Sequence, residues 1–410
     1  MPADDRPRVS PRTAPPPSAA PKIATTVWPR ALLLVLGGAA LLAGLDAALA
    51  LLGVAAPVGA QAAPALPPSH GTLMVFGFVG TLIALERAVA LRRWWGYSAP
   101  ALLGVGSLAQ LAPTPGAGTA WVPRAVVLAG AVMFAVVYVP LWRRQRDPAV
   151  LVQALGAVAA AGGAALLAAG VSVPAVVPWL AAFLLATIAG ERLELARLRI
   201  SGRWAEPLLV AACAVLVVLA PVTLLWPAVG YPLFGLALLG LAAWLVRYDV
   251  ARATIRSRGL PRFVAACLLS GYAWLAVAAA VSLLAPGSRS GALTGSAYDA
   301  FLHAVFLGFV MSMIMAHAPV ILPAVLRRPL PYLPAMWVPA VLLHAALVLR
   351  LAVGDARGDI VAWQWGGMGN VAAVLAFVAV AAYAVAAGRR GRRPTLDRSR
   401  PARARQEGAA

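Results

Sequence analysis

Only four histidines occur in this chain of 410 residues, which is 62% hydrophobic and 12% charged. Two of them stand in similar stretches, His70-Gly-Thr-Leu-Met-Val-Phe-Gly-Phe78 and Phe301-Leu-His-Ala-Val-Phe-Leu-Gly-Phe309. A neutral imidazole is a strong ligand for haem iron and for copper. Two imidazoles at one depth, on helices that face each other, can clamp a flat macrocycle from both sides. At 100° per residue the helical face of His70 continues through Met74, Gly77, Thr81, Ala84 and Ala88. Met74 and Gly77 are therefore candidate cofactor contacts. The small residues beyond them allow a macrocycle or another helix to come close. His317 and His344 complete the set of candidate metal-ligating histidines, beside the reading that each simply hydrogen-bonds a neighbour. Phe76, Phe78, Phe301, Phe306 and Phe309 lie near the two motifs and can pack on a ring system.

These residues must be positioned by membrane helices. A mean hydropathy of +0.83 belongs to a polytopic membrane protein. A helix needs about 20 apolar residues to cross the bilayer core. On that rule the sequence predicts twelve spans, at 30–53, 69–91, 97–113, 120–142, 148–170, 173–193, 206–225, 229–247, 261–285, 298–325, 332–351 and 361–387. The third is short. The expected fold is an all-α polytopic membrane domain over 28–388. It lies between a disordered cytoplasmic tail, 1–27, and a disordered basic cytoplasmic tail, 389–410.

The arginines test this count. They are dense at every second turn of the predicted chain path, and the intervening loops hold only Arg124, Arg289, Arg350 and Arg357. That alternation predicts both termini on the cytoplasmic side. It also accounts for a net charge of +20 without nucleic acid, since the charge is spread along one membrane face. Even-numbered helices then run from outside to inside. His70, His303 and His344 fall in the outer half, and His317 falls near the cytoplasmic side.

The two cysteines, Cys213 and Cys267, lie inside apolar spans and form no metal or covalent-haem motif. Helix 2 ends with Glu86-Arg87 and helix 6 with Glu191-Arg192, while helix 10 carries His317 and then Arg327 and Arg328. This spacing suggests three pseudo-repeats of four helices. Asp46 is an intramembrane carboxylate suited either to proton handling or to a buried hydrogen bond. Met311, Met313, Met315 and His317 form a methionine-rich run, but alternate residues on a helix diverge, so the three thioethers cannot share one face for copper. Glu86 and His317 are expected at similar depth.

The residues from His70 to Phe78 resemble the start of the second helix in the catalytic subunit of haem–copper oxidases, where such a histidine holds the low-spin haem. That subunit also has twelve spans and pseudo-threefold symmetry, and its other ligand to that haem is on helix 10, where His303 falls here. His70 to Phe78 and His303 to Gly308, with His317 downstream, are still more similar to the NnrS family, twelve-span haem- and copper-containing proteins associated with nitric oxide stress. The departures narrow what the resemblance implies. The positions two away from His303 are Phe301 and Val305, helices 6 and 7 contain no histidine, and helix 2 lacks a further one. The copper-site histidines of an oxidase are thus missing.

The sequence therefore leads to the expectation of a b-type haem held by His70 and His303 in a bacterial inner membrane. The role would be electron transfer, redox response or nitric oxide response, with a redox partner protein and no oxidase chemistry. Copper is a secondary expectation. A secondary transporter of a small solute, with Asp46 and the stretch from Ala318 to Pro323 as its site, and a non-catalytic membrane scaffold are the alternatives.

Overall fold

The computed structural model describes residues 28–58, 64–112, 121–196, 202–285, 293–326 and 330–390. The expected tail 1–27, residues 391–410 of the expected tail 389–410, and the loop positions Arg289, Arg327 and Arg328 lie outside the described residues, whereas residues 389–390 continue the last helix. Among the described residues there is no strand, and beside the short turns Trp94–Tyr97 and Ala251–Thr254 twelve helices of twelve residues or more follow one another. They are α1 (Trp28–Leu51), α2 (Leu66–Leu91), α3 (Ser98–Ala109), α4 (Val122–Gln145), α5 (Pro148–Ala168) and α6 (Val173–Ala196). The second half comprises α7 (Ala205–Leu225), α8 (Pro227–Tyr248), α9 (Leu260–Leu284), α10 (Gly295–Leu326), α11 (Pro334–Asp355) and α12 (Ile360–Arg390). Eleven of these are long and apolar enough to cross a membrane. The protein is an all-α polytopic membrane protein.

The exception is α3, whose 12 residues rise only about 18 Å. It nevertheless carries the chain back across the bundle. Arg144, near the end of α4, donates to the Ala90 and Leu91 carbonyls at the end of α2, both at 3.3 Å, so α2 and α4 end on the same side. The stretch between them must return to the other side. Small residues let α3 lie antiparallel to both neighbours. A Cβ on Gly106 would sit 2.8 Å from the Val127 amide nitrogen, one on Gly130 2.7 Å from that of Leu103, and one on Gly77 2.9 Å from the Ser107 Cβ. Gly77 therefore serves close helix packing.

Helix ends are set locally. The α4 chain stops at Arg146, which adopts a left-handed conformation with φ 46° and returns its N–H to the Trp142 carbonyl at 2.8 Å. Asp147 then caps α5 by accepting from the Ala149 amide at 2.9 Å, with Pro148 in the first helical position, where its missing N–H costs nothing.

Packing repeats with a period of four helices. In α1, α5 and α9 one glycine, Gly37, Gly156 or Gly271, lies against the next helix where a phenylalanine carbonyl is followed by a hydroxyl residue. These pairs are Phe78 with Thr81, Phe183 with Thr187, and Phe309 with Ser312. Each hydroxyl bonds back to its own helix, onto the Phe76, Phe183 and Gly308 carbonyls. The positions five beyond the hydroxyls are Glu86, Arg192 and His317, so this packing register lies one residue off the expected pairing of Glu86-Arg87 with Glu191-Arg192. Of the eleven membrane-length helices α6 is the most enclosed, packed against α5, α7, α8 and α10.

Candidate functional site

Three segments leave the α-helical pattern for wider π turns: Leu73–Gly80 in α2, Ala304–Met311 in α10 and Leu349–Asp355 in α11. Such turns are rare and concentrate at functional sites. All three border one cavity, at the end of the bundle opposite the dense arginines. The first follows His70, the second begins directly after His303, and the third contains Arg350. The cavity encloses about 100 Å³ and is lined by His70, Met74, Val177, His303, Arg350 and Asn370, among others.

The His70 Nδ1 faces the Gly44 carbonyl on α1 at 2.8 Å. A carbonyl only accepts, so Nδ1 carries a proton, and in the neutral ring Nε2 keeps its lone pair. The His303 Nδ1 faces the Asp299 carbonyl one turn earlier at 2.9 Å and the Asp299 Oδ1 at 3.2 Å, with the same result. Both imidazoles border the cavity with a lone-pair Nε2. Hydrogen bonds of this kind fix ring orientation and raise ligand basicity.

Asp299 is itself held. Arg350 grips its carboxylate with two bonds, Nε to Oδ2 at 2.9 Å and an Nη to Oδ1 at 2.8 Å, and the Trp363 indole donates to Oδ2 at 3.2 Å. The guanidinium also stacks over the Trp363 ring at 4.8 Å. Across the cavity, Asn370 is only 2% exposed, and neither its amide nitrogen nor its oxygen has a partner. A buried amide left so is costly, and its exposure to a cavity suits an occupant with polar groups of its own.

The predicted site residues divide. His70, His303 and Met74 come together at this cavity, with Phe78 and Phe306 in its lining. Phe76, Phe301 and Phe309 turn away onto other rings, Phe76 stacking on Phe183 at 6.3 Å between centroids. Gly77 is not in the cavity wall, because the π turns after Leu73 shift the phase that the regular helical spacing assumes. His344 lies elsewhere, accepting at Nδ1 from the Trp274 indole at 3.0 Å. Asp46 is buried and accepts from the Val58 amide at 3.2 Å. Cys213 and Cys267 are buried free thiols. Arg350, Asp299 and Asn370 are the site residues that the sequence reading missed.

His317 occupies the other end of α10. Its Nδ1 bonds the Met313 carbonyl at 2.7 Å and its Nε2 lies 3.2 Å from an Nη of Arg192. Arginine only donates, so both ring nitrogens are used. Arg192 grips Asp249 through two bonds, at 2.6 and 3.0 Å, and Tyr272 donates to the same carboxylate at 2.8 Å. Among the described residues no three His, Cys, Asp or Glu side chains assemble as a metal site. No curated protein and no solved structure matches the chain. Residues 30–386 match a family described as a domain of unknown function, DUF8744, and the chain belongs to that family.

Proposed function

We propose that this protein binds one b-type haem in the membrane between His70 and His303, for electron transfer, redox response or nitric oxide response. The observation that carries the reading is the pair of imidazoles on one cavity, each with Nδ1 tied to a carbonyl and Nε2 left as a lone-pair donor. A site with only two strong protein donors suits haem, whose macrocycle brings the remaining nitrogen ligands itself. The apolar walls suit a porphyrin face, and Arg350 and Asn370 suit its polar edge. When bound, such a haem supplies one-electron exchange at iron. The residues of the chain hold it, orient it and exclude water from it. The alternation of arginines supports the histidine end as the outer one, in a bacterial inner membrane with cytoplasmic termini, and a redox partner would dock on that side.

The test is the spectrum of the full-length protein, as purified and after hemin addition. The expected result is a low-spin b-type spectrum on reduction that is lost in His70→Ala and in His303→Ala and kept in His344→Ala. A protein that takes up no hemin, or whose low-spin spectrum survives both substitutions, overturns the reading.

A further inference from the structure

A second and larger cavity of about 550 Å³ lies toward the arginine-rich end, between α1, α2, α6, α10 and α12. Its wall is apolar, with residues such as Leu82, Met313, Ile321 and Phe377, apart from Glu86, Glu191 and His317. The space reaches the backbone of α1, where a Cβ added to Gly38 would meet nothing within 4 Å.

The charges on this wall do not balance. His317 is neutral, since one nitrogen faces a carbonyl and the other faces a guanidinium. Arg192 is matched by Asp249. Glu86 and Glu191 are left with Arg87, the one described arginine that pairs with both. Two carboxylates against one guanidinium leave one carboxylate unmatched among the described residues, and in a surrounding of low dielectric it must take up a proton or meet a cation. Beside them the Arg87 Nε, the Gln153 Nε2 and the Tyr138 hydroxyl are buried without partners, although Gln153 and Tyr138 are only 1% and 2% exposed. The cluster is therefore incomplete as it stands.

A bare metal ion does not fit, because hard cations want six or more oxygens and this wall is mostly hydrocarbon. An occupant that satisfies both the apolar volume and the spare carboxylate is a hydrocarbon body carrying one positive charge. We propose that this cavity binds an amphiphilic organic cation, with its charge against Glu86 and Glu191 and its apolar body against α1, α10 and α12. The proposal does not depend on the haem reading, although Phe78, Val79, Val310, Met311 and Ile314 line both cavities.

The test uses the full chain in lipid nanodiscs and two probes of like size and shape, tetraphenylphosphonium and tetraphenylborate. Phosphonium is expected to bind saturably above empty nanodiscs, and borate at least about tenfold more weakly, the scale of one charge-assisted contact. Glu191→Gln should weaken phosphonium binding by about tenfold, Glu191→Asp should restore part of it, and Gly38→Phe should block it by filling the void. His70→Ala should leave it unchanged. Equal binding of the two ions, no binding of the phosphonium, or full binding by a folded Glu191→Gln protein overturns the proposal. Should Glu191→Gln fail to fold, the ion pair of probes and Gly38→Phe decide it.

Discussion

His303 and His317 share one helix and are built in opposite ways. Each has Nδ1 tied to the carbonyl one turn earlier, at 2.9 and 2.7 Å. The difference lies at the second nitrogen. Next to His303 the arginine is spent on Asp299, so Nε2 is left for the cavity. Next to His317 the arginine reaches the ring as well as its carboxylate, and Nε2 is consumed. Whether a membrane histidine can act as a ligand is thus decided by where the nearest guanidinium points. The two ends are alike in charge: Arg350 faces Asp299 and the neighbouring Asp355, and Arg87 serves two glutamates.

Arg192→Leu attacks the occupied end most directly. It leaves the Asp249 carboxylate, which is 6% exposed, without its guanidinium, and should cost about 3–5 kcal/mol in unfolding experiments. A cost below about 1 kcal/mol would mean that this arginine does not organise the His317 end. At the other end, Asp299→Asn removes the carboxylate that steadies His303 and should weaken hemin affinity by about 10–100-fold in spectral titrations, while phosphonium binding stays unchanged. An unchanged hemin affinity would show that the backbone carbonyl alone orients the ring. His317→Gln keeps an acceptor for Arg192 and should cost only about 1 kcal/mol, with the low-spin haem spectrum intact. Loss of that spectrum would erase the distinction between the two histidines. The smallest effect is expected for Asn370→Leu in hemin-free protein. Removing an amide that has no partner should leave stability within about 1 kcal/mol of the parent, or raise it, and a larger loss in thermal unfolding would reveal a partner.

Much of the fold was legible because bilayer thickness imposes a length on every span. The predicted segments 148–170, 173–193 and 206–225 fall on Pro148–Ala168, Val173–Ala196 and Ala205–Leu225, and even the short third element is present. The matched depth of His70 and His303 was legible from the arginine alternation, and both border one cavity. The contents of that cavity were less legible. Nothing in Leu-Met-Val-Phe-Gly-Phe-Val-Gly marks a π segment, since the wider turn follows from packing against α1 and α3, so the projected stripe through Gly77 lost its phase. Arg350 was taken for a sparse loop charge, although it falls inside the predicted span 332–351. A lone arginine inside an apolar span is costly without a partner, and that cost was the available signal for its pairing with Asp299. Asn370 carried no such signal, because a single amide in a helix is ordinary until its surroundings are known.

The four-helix packing rhythm has a consequence for how a two-sided clamp arises. A plan with three equivalent units offers three equivalent approaches to a shared interior, from α2, α6 and α10. Two of these bring an imidazole to the cavity, and the third, through α6, brings Val173 and Val177. A disc gripped from two directions needs a third side that is blunt and greasy. On the proposed haem reading, the imidazole missing from α6 leaves two ligands beside one blunt wall.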